Sequence, residues 1–476
     1  DFPGRRAVVT TDAGPTPARM GARAGHNKTP LMKETGFMNP LALEPSAGPP
    51  VSNVLRITLV CFAVSMIDGF DTLMLSFVAP LLAKSLQIDH ATLGRVFGAG
   101  FIGTVLGSLI VGPLADRFGR RPMLLLALAV TGIFTLGCAF ATSATMLATL
   151  RFIGGLGMGG AIPPVAAITA ESSSPQRRSS LVILMFIGFP LGAVVGGAIT
   201  AALMVRFGWP FVFLMGGTFA LLALIPVLLV IPAQTVSHAE RVAARQHAAA
   251  SGLNVVGSMF AGGRFPATLA LWVSVLSSMI LSGFLVSFMP TILNMNGVEP
   301  GRAALGSVLL NLGAIGGALV ISTLVGKRGP FMPVAIAFLG GAVLTVALGQ
   351  IIGAGNIALA MLFAVGAFLV GGQLTFPAIA SYLFPANVRA AGVGWTLAIG
   401  RIGSIVGPVV GGMLLSQHLS FETLFILAAI LAVGAALGLC LSNVLRPREK
   451  EAGQIMSTAP FPVTGSELGE ASHGKN

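Results

Sequence analysis

Apolar stretches of about 20 residues or more, parted by short polar joints, run through most of this chain. Inside a bilayer only helices and closed barrels satisfy their own backbone hydrogen bonds, and a spanning helix needs about 20 apolar residues. On that footing helices are expected at 54–80, 91–114, 122–141, 145–170, 180–204, 209–231, 267–293, 303–326, 330–351, 356–384, 389–415 and 421–443. The implied fold class is an all-α membrane protein with twelve transmembrane helices in two six-helix halves. Only 9% of residues are charged, against about 25% in soluble domains. The 62 glycines suit helices whose backbones approach closely in lipid.

The net charge of +12 would ordinarily direct attention to nucleic acid. Here the basic residues fall in alternate joints, so topology accounts for them and no nucleic-acid partner is expected. One side carries Arg117, Arg120, Arg121, Arg177, Arg178, Arg241, Arg245, Arg264, Lys327, Arg328, Arg389, Arg446, Arg448 and Lys450. The other side has only Lys84, Arg95, Arg206 and Arg302. The positive-inside rule assigns the first set, and both termini, to the cytoplasm. The expected organisation is a disordered cytoplasmic tail over 1–53, a six-helix half over 54–231, a central cytoplasmic loop over 232–266, a second half over 267–443, and a cytoplasmic tail over 444–476. The first fifty residues contain no apolar run of the kind a secretory signal needs. Cys61, Cys138 and Cys440 lie far apart in apolar segments, so neither a zinc site nor a disulfide framework is expected, and no cofactor.

Charge inside the apolar segments is the informative exception. Asp68-Gly69-Phe70-Asp71 sits in the first segment, and a charge at bilayer depth costs roughly 3 kcal/mol on insertion scales. At a spacing of i and i+3 both carboxylates are expected on one helix face, as a proton or ion site. Arg151 opens the fourth segment, Glu171 closes it, Gln373 lies in the tenth and Arg401 in the eleventh. A guanidinium in a low-dielectric cavity suits a carboxylate, because its planar fork binds bidentately. Arg401 could instead pair with Asp68 or Asp71, and Arg151 could snorkel or pair with an acid. None of the six histidines falls within a segment core, so a proton relay here rests on carboxylates.

The two halves carry a faint internal repeat. Gly159-Gly160-Ala161-Ile162-Pro163-Pro164 in the fourth segment parallels Gly371-Gly372-Gln373-Leu374-Thr375-Phe376-Pro377 in the tenth. Repeated halves around a midplane site are the architecture of alternating-access carriers. Between the second and third segments stands Gly112-Pro113-Leu114-Ala115-Asp116-Arg117-Phe118-Gly119-Arg120-Arg121. Gly119 permits a tight turn, Asp116 can meet a helix end or an arginine, and Arg117, Arg120 and Arg121 anchor the loop. This sequence resembles the G-x-L-a-D-r-x-G-r-r loop of the major facilitator superfamily. The matching loop at Gly326-Lys327-Arg328-Gly329-Pro330 lacks the acid, so any gating network is expected to be asymmetric.

The whole set resembles one branch of that superfamily, the aromatic acid/proton symporters. The resemblance rests on Asp68-Gly69-Phe70-Asp71, on Glu171 followed by Arg177 and Arg178, on Leu383 to Trp395 with Arg389, and on Gly400-Arg401-Ile402-Gly403. It implies proton-driven uptake of a benzoate-like or hydroxylated aromatic acid, such as 4-hydroxybenzoate, benzoate or protocatechuate, across a bacterial inner membrane. It implies Asp68 and Asp71 in proton coupling, and Arg401, Arg151, Gln373 and Tyr382 toward substrate. Asp116, Arg117, Gly119, Arg120, Arg121, Glu171, Arg178 and Arg389 are the expected gating set. Tyr382, the chain's single tyrosine, could donate to a substrate oxygen or serve as an interfacial anchor. Phe384 precedes Pro385 where the family is expected to carry Tyr-Pro. The expected partners are the carboxylate, the proton and the bilayer, for a monomer. The competing readings are a carrier of another organic anion such as nicotinate or a dicarboxylate, and a drug/proton exporter. No cluster of acid, base and nucleophile points to an enzyme.

Overall fold

The computed structural model describes residues 51–174, 177–232, 257, 259–385, 388–417 and 419–447. Twelve helices long and apolar enough to cross a membrane follow one another, and no strand occurs among the described residues. In chain order they are α1 (Val51–Leu86), α2 (His90–Phe118), α3 (Arg120–Cys138), α4 (Ala144–Glu171), α5 (Arg178–Phe207), α6 (Trp209–Val230), α7 (Phe265–Met295), α8 (Pro300–Arg328), α9 (Phe331–Ile351), α10 (Asn356–Leu383), α11 (Arg389–Ser416) and α12 (Phe421–Leu445). All twelve expected segments are present as helices. The expected tails and central loop lie for the most part outside the described residues.

The helix ends follow local chemistry. Asp89, Ser143 and Ser420 cap α2, α4 and α12 by accepting from the N–H groups of Thr92, Met146 and Thr423. The Asp89 carboxyl is held below its ordinary pKa, chiefly by its hydrogen bond to Thr92. Gly119 alone joins α2 to α3 at φ 100°, and Gly329 ends α8 at φ 79° in the corresponding joint of the second half. Residues with a Cβ rarely adopt such φ values, which explains why the second joint keeps its glycine after losing its acid.

Two helices depart from the plain reading. α1 continues through Pro80 to Leu86, beyond the expected end at 80, because membrane helices tolerate proline where neighbours satisfy the freed carbonyl. α10 is interrupted: Asn356–Val365 is α-helical, Gly366–Val370 is a π-helical turn, Gly371–Gln373 a short α turn, and Phe376–Leu383 resumes the helix.

Packing repeats between the halves. α2 lies on α4, α1 on α5 and α3 on α6; likewise α8 lies on α10, α7 on α11 and α9 on α12. Glycine makes these contacts possible. A Cβ on Gly107 would stand 2.1 Å from the Leu156 carbonyl oxygen, and one on Gly317 would stand 2.0 Å from that of Ala367. Gly69, between the two aspartates, presses α1 onto α5; its Cβ would stand 1.9 Å from the Phe189 oxygen.

Among the described residues the contacts between the halves gather at one end. Gly94 and Gly412 bring α2 and α11 together, Gly197 and Gly301 bring α5 and α8 together, and Ser76 of α1 donates to the Val286 carbonyl of α7 at 2.5 Å. Phe97 meets Phe288 edge-on there, with ring centroids 5.6 Å apart. All of these residues lie in the helix halves away from the basic joints. At the basic end the first half has its own apolar cluster, around Cys61, Leu124, Val165 and Val227, separate from the core that joins the halves. Among the described residues no hydrogen bond or ion pair joins the halves at that end. Among the described residues the bundle is therefore joined at one end and parted at the end that carries the arginines.

Candidate functional site

The two aspartates of α1 have different partners. Asp71 is 1% exposed and Arg151 is 5% exposed. An Arg151 Nη1 to Asp71 Oδ2 ion pair spans 3.2 Å, and Nη2 donates to the Asp71 backbone carbonyl at 3.1 Å. Thr135 of α3 donates to Asp71 Oδ1 at 2.7 Å. Three helices of the first half thus hold Asp71 in a closed network. Arg151 pairs with an acid and does not snorkel, and its guanidinium is committed.

Asp68 lies one turn nearer the parted end, about 4.5 Å along the axis, and is only half-buried. Its electrostatic neighbours are Asp71 and Arg401 of α11. Arg401 is half-buried near the middle of its helix and, among the described residues, makes neither a hydrogen bond nor an ion pair. The two halves therefore present opposite charges to one another across the interior, without contact. A guanidinium in that state keeps its donors available for a carboxylate. Beside Arg151 a small cleft continues the Asp68 face of α1 through Thr72 and Leu75, and Phe97, Phe101 and Thr104 of α2 complete its wall.

Gln373 lies on the short turn after the π segment, half-buried, with Nε2 on the Met279 sulfur at 2.8 Å. Tyr382, expected either to face substrate or to anchor at the interface, lies at the end of α10. It is 58% exposed, stands edge-on to Phe331, and has the Arg446 guanidinium over its ring at 5.3 Å. That is the setting of an anchor at the protein's edge.

The expected gating set divides. Arg120 forms an ion pair with Glu171, tying the α2–α3 joint to the end of α4. Arg121 donates to the Leu228 carbonyl at 2.6 Å, tying it to the end of α6. Asp116 and Arg117 are exposed; Arg117 lies over the Phe118 ring, and Asp116 has no ion pair among the described residues. Arg389 is exposed and donates to the Phe384 carbonyl within its own half. Arg178 begins α5, and its side chain is outside the described set. Among the described residues every partner found belongs to the same half. Sequence reasoning missed Thr135; the available signal was a threonine inside an apolar segment, which reads equally well as one bonded to its own helix. No group of acids, histidines and cysteines able to hold a metal occurs among the described residues.

Residues 61–405 match the family model described as Major Facilitator Superfamily. The chain is 33% identical to the gallate transporter of Pseudomonas putida, over 82% of this chain and 92% of that protein. It is 32% identical to the 4-hydroxybenzoate transporter PcaK of Pseudomonas aeruginosa, over 80% of this chain and 91% of that one. In fold it is similar to a crystal structure of a D-xylose-proton symporter, with a TM-score of 0.66 and 20% identity, covering 81% of this chain and 97% of that one.

Proposed function

The chain belongs to the Major Facilitator Superfamily, within the branch of the aromatic-acid transporters, and from that premise we propose that it carries a small aromatic carboxylate together with protons by alternating access. It is a multi-pass membrane transporter. The single observation that carries the finer reading is the unpaired Arg401 opposite Asp68, each held by a different half.

The proposed cycle follows from charge. In the empty carrier Arg401 and Asp68 are each other's nearest counter-charge across the interior. A bound carboxylate takes Arg401 for itself, bidentately. Asp68 then lacks its counter-charge at a depth where a bare carboxylate is costly, and a proton discharges it. The loaded interior holds one cation, one anion and a neutral acid, so the halves can close over it. Release of the acid returns Arg401 to Asp68 and frees the proton. One proton with one monoanion is electroneutral, so the pH gradient alone drives this stoichiometry. Asp71 and Arg151 fix the pitch of α1 against α3 and α4, which makes Asp71 a positioning residue for Asp68.

In this reading the arginine-rich end faces the cytoplasm of a bacterium, at its inner membrane, and the parted end is the inward-open state. The phenylalanines and threonines of the cleft beside Arg151 offer a wall for an aromatic ring. Uptake of labelled 4-hydroxybenzoate into energised vesicles, with and without a protonophore, tests this. Protonophore-sensitive uptake competed by benzoate and protocatechuate is expected. Competition by nicotinate or succinate alone would move the cargo to another organic anion, and outward movement would make the protein an exporter.

A further inference from the structure

Resting on the reading that the cargo is an aromatic acid, we propose that Gln373 recognises a ring hydroxyl of that cargo through its side-chain oxygen, while Arg401 holds the carboxylate. The local backbone is the first reason. α10 is broken by a π turn at Gly366–Val370 and delivers Gln373 on a three-residue turn before the chain loosens at Leu374 and Thr375. Such turns are rare and collect at functional sites. The corresponding helix of the first half, α4, stays α-helical through Pro163 and Pro164, so the break is not a consequence of the repeat's composition.

The second reason is the state of the amide. Nε2 donates to the sulfur of Met279. A thioether accepts and cannot donate, so the amide is oriented with nitrogen on sulfur and oxygen away from it. Oε1 is buried and, among the described residues, has no hydrogen-bond partner. An acceptor shut away without a donor is expensive, and the N–H to sulfur bond holding it there is weak. Turning the side chain toward the interior gives up little and lets the oxygen find a donor.

The third reason is position. Ser404 places its hydroxyl on the same Met279 sulfur, at 3.7 Å, and lies one turn beyond Arg401 on α11. Gln373, Met279, Ser404 and Arg401 therefore belong to one wall of the second half. What the orphaned oxygen lacks is a donor. A carboxylate ionised at neutral pH supplies none, and an unsubstituted ring supplies none; a phenolic O–H supplies one. The specificity that follows is for hydroxylated over unsubstituted aromatic acids.

The test is binding of labelled benzoate to the purified full-length protein, displaced by benzoate, 4-hydroxybenzoate, 3-hydroxybenzoate and 4-methoxybenzoate. Binding of benzoate itself tests whether aromatic acids are cargo at all, separately from how the hydroxyl is read. For wild type, at least one hydroxylated acid is expected to displace the label about tenfold better than benzoate, the equivalent of one good hydrogen bond. 4-Methoxybenzoate, which carries the oxygen without the donor, is expected to behave as benzoate does. In Gln373→Met the hydroxyl preference is expected to fall to threefold or less. Gln373→Asn, which keeps the amide on a shorter stem, is expected to lie between and decides the matter if the methionine variant does not fold. A methoxy acid that binds as tightly as the hydroxy acid, or a preference that survives Gln373→Met, overturns the proposal.

Discussion

Arg151→Met should destabilise the protein by more than any surface charge change could. The substitution keeps the apolar stem of the side chain and removes the guanidinium. It breaks the 3.2 Å ion pair with Asp71 and the donation to the Asp71 carbonyl at 3.1 Å. Asp71, 1% exposed, then keeps only the Thr135 hydroxyl. Removing one partner of a buried pair costs about 3–5 kcal/mol, because the remaining charge is left uncompensated. Unfolding entropy grows with length, so a chain of this size shifts its melting temperature by roughly 1 °C per kcal/mol, and a fall of about 3–5 °C is expected. Heating in detergent followed by size-exclusion chromatography on the fluorescent-tagged protein measures it. The double variant Asp71→Leu/Arg151→Met removes both charges, and it should recover most of the loss, since apolar replacements of a buried pair are often neutral. A single variant melting within about 1 °C of wild type, or a double variant no more stable than the single one, would refute the closed network as the support of α1.

Four further outcomes are expected. Asp68→Asn should lose protonophore-sensitive accumulation while retaining exchange of labelled for unlabelled substrate, because it mimics the protonated state permanently; net accumulation at the wild-type level counts against the scheme. Arg401→Lys keeps the charge but loses the planar fork, and the half-saturation concentration should rise about tenfold or more. Gly69→Ala forces a Cβ to within 1.9 Å of the Phe189 oxygen and should cost about 1–3 kcal/mol through displacement of α5, read as a lower melting temperature and lower yield. Asp89→Ala should cost about 1 kcal/mol at neutral pH through loss of the α2 cap. The Asp89 carboxyl is depressed in the folded state, so its contribution is present above its unfolded pKa of about 4 and disappears as the pH falls below that. Melting curves of wild type and variant should therefore converge in acid.

Much of this arrangement can be read from the residues, and the part that cannot has a physical cause. The twelve helices are legible because lipid imposes a length and a hydropathy that the chain must meet locally. The Gly119 joint is legible because a positive φ names its residue. The separation of Asp68 from Asp71 is not legible. Positions i and i+3 differ by a fraction of a turn, and which neighbour each one meets depends on α3, α4 and α11, whose approach is set by glycine contacts distant in sequence. Arg120 with Glu171 is half legible: both belong at the basic end, but no local signal pairs them. The π turn of α10 leaves no composition mark, since Gly366 and Ala367 also fit an ordinary helix packed against α8. Tyr382 left two readings open, because one tyrosine in an apolar chain invites a polar role; its position at the end of α10, beside Arg446, favours the boundary anchor.

Proton movement coupled to the cargo is the central claim, and proteoliposomes containing the purified protein and a trapped pH indicator test it directly. Addition of 4-hydroxybenzoate outside, with no membrane potential, should acidify the lumen faster than in protein-free liposomes. The same addition to Asp68→Asn vesicles should give only the protein-free rate. Substrate entry without acidification, or acidification by Asp68→Asn at the wild-type rate, would contradict a symporter in which Asp68 and Arg401 exchange partners across the interior.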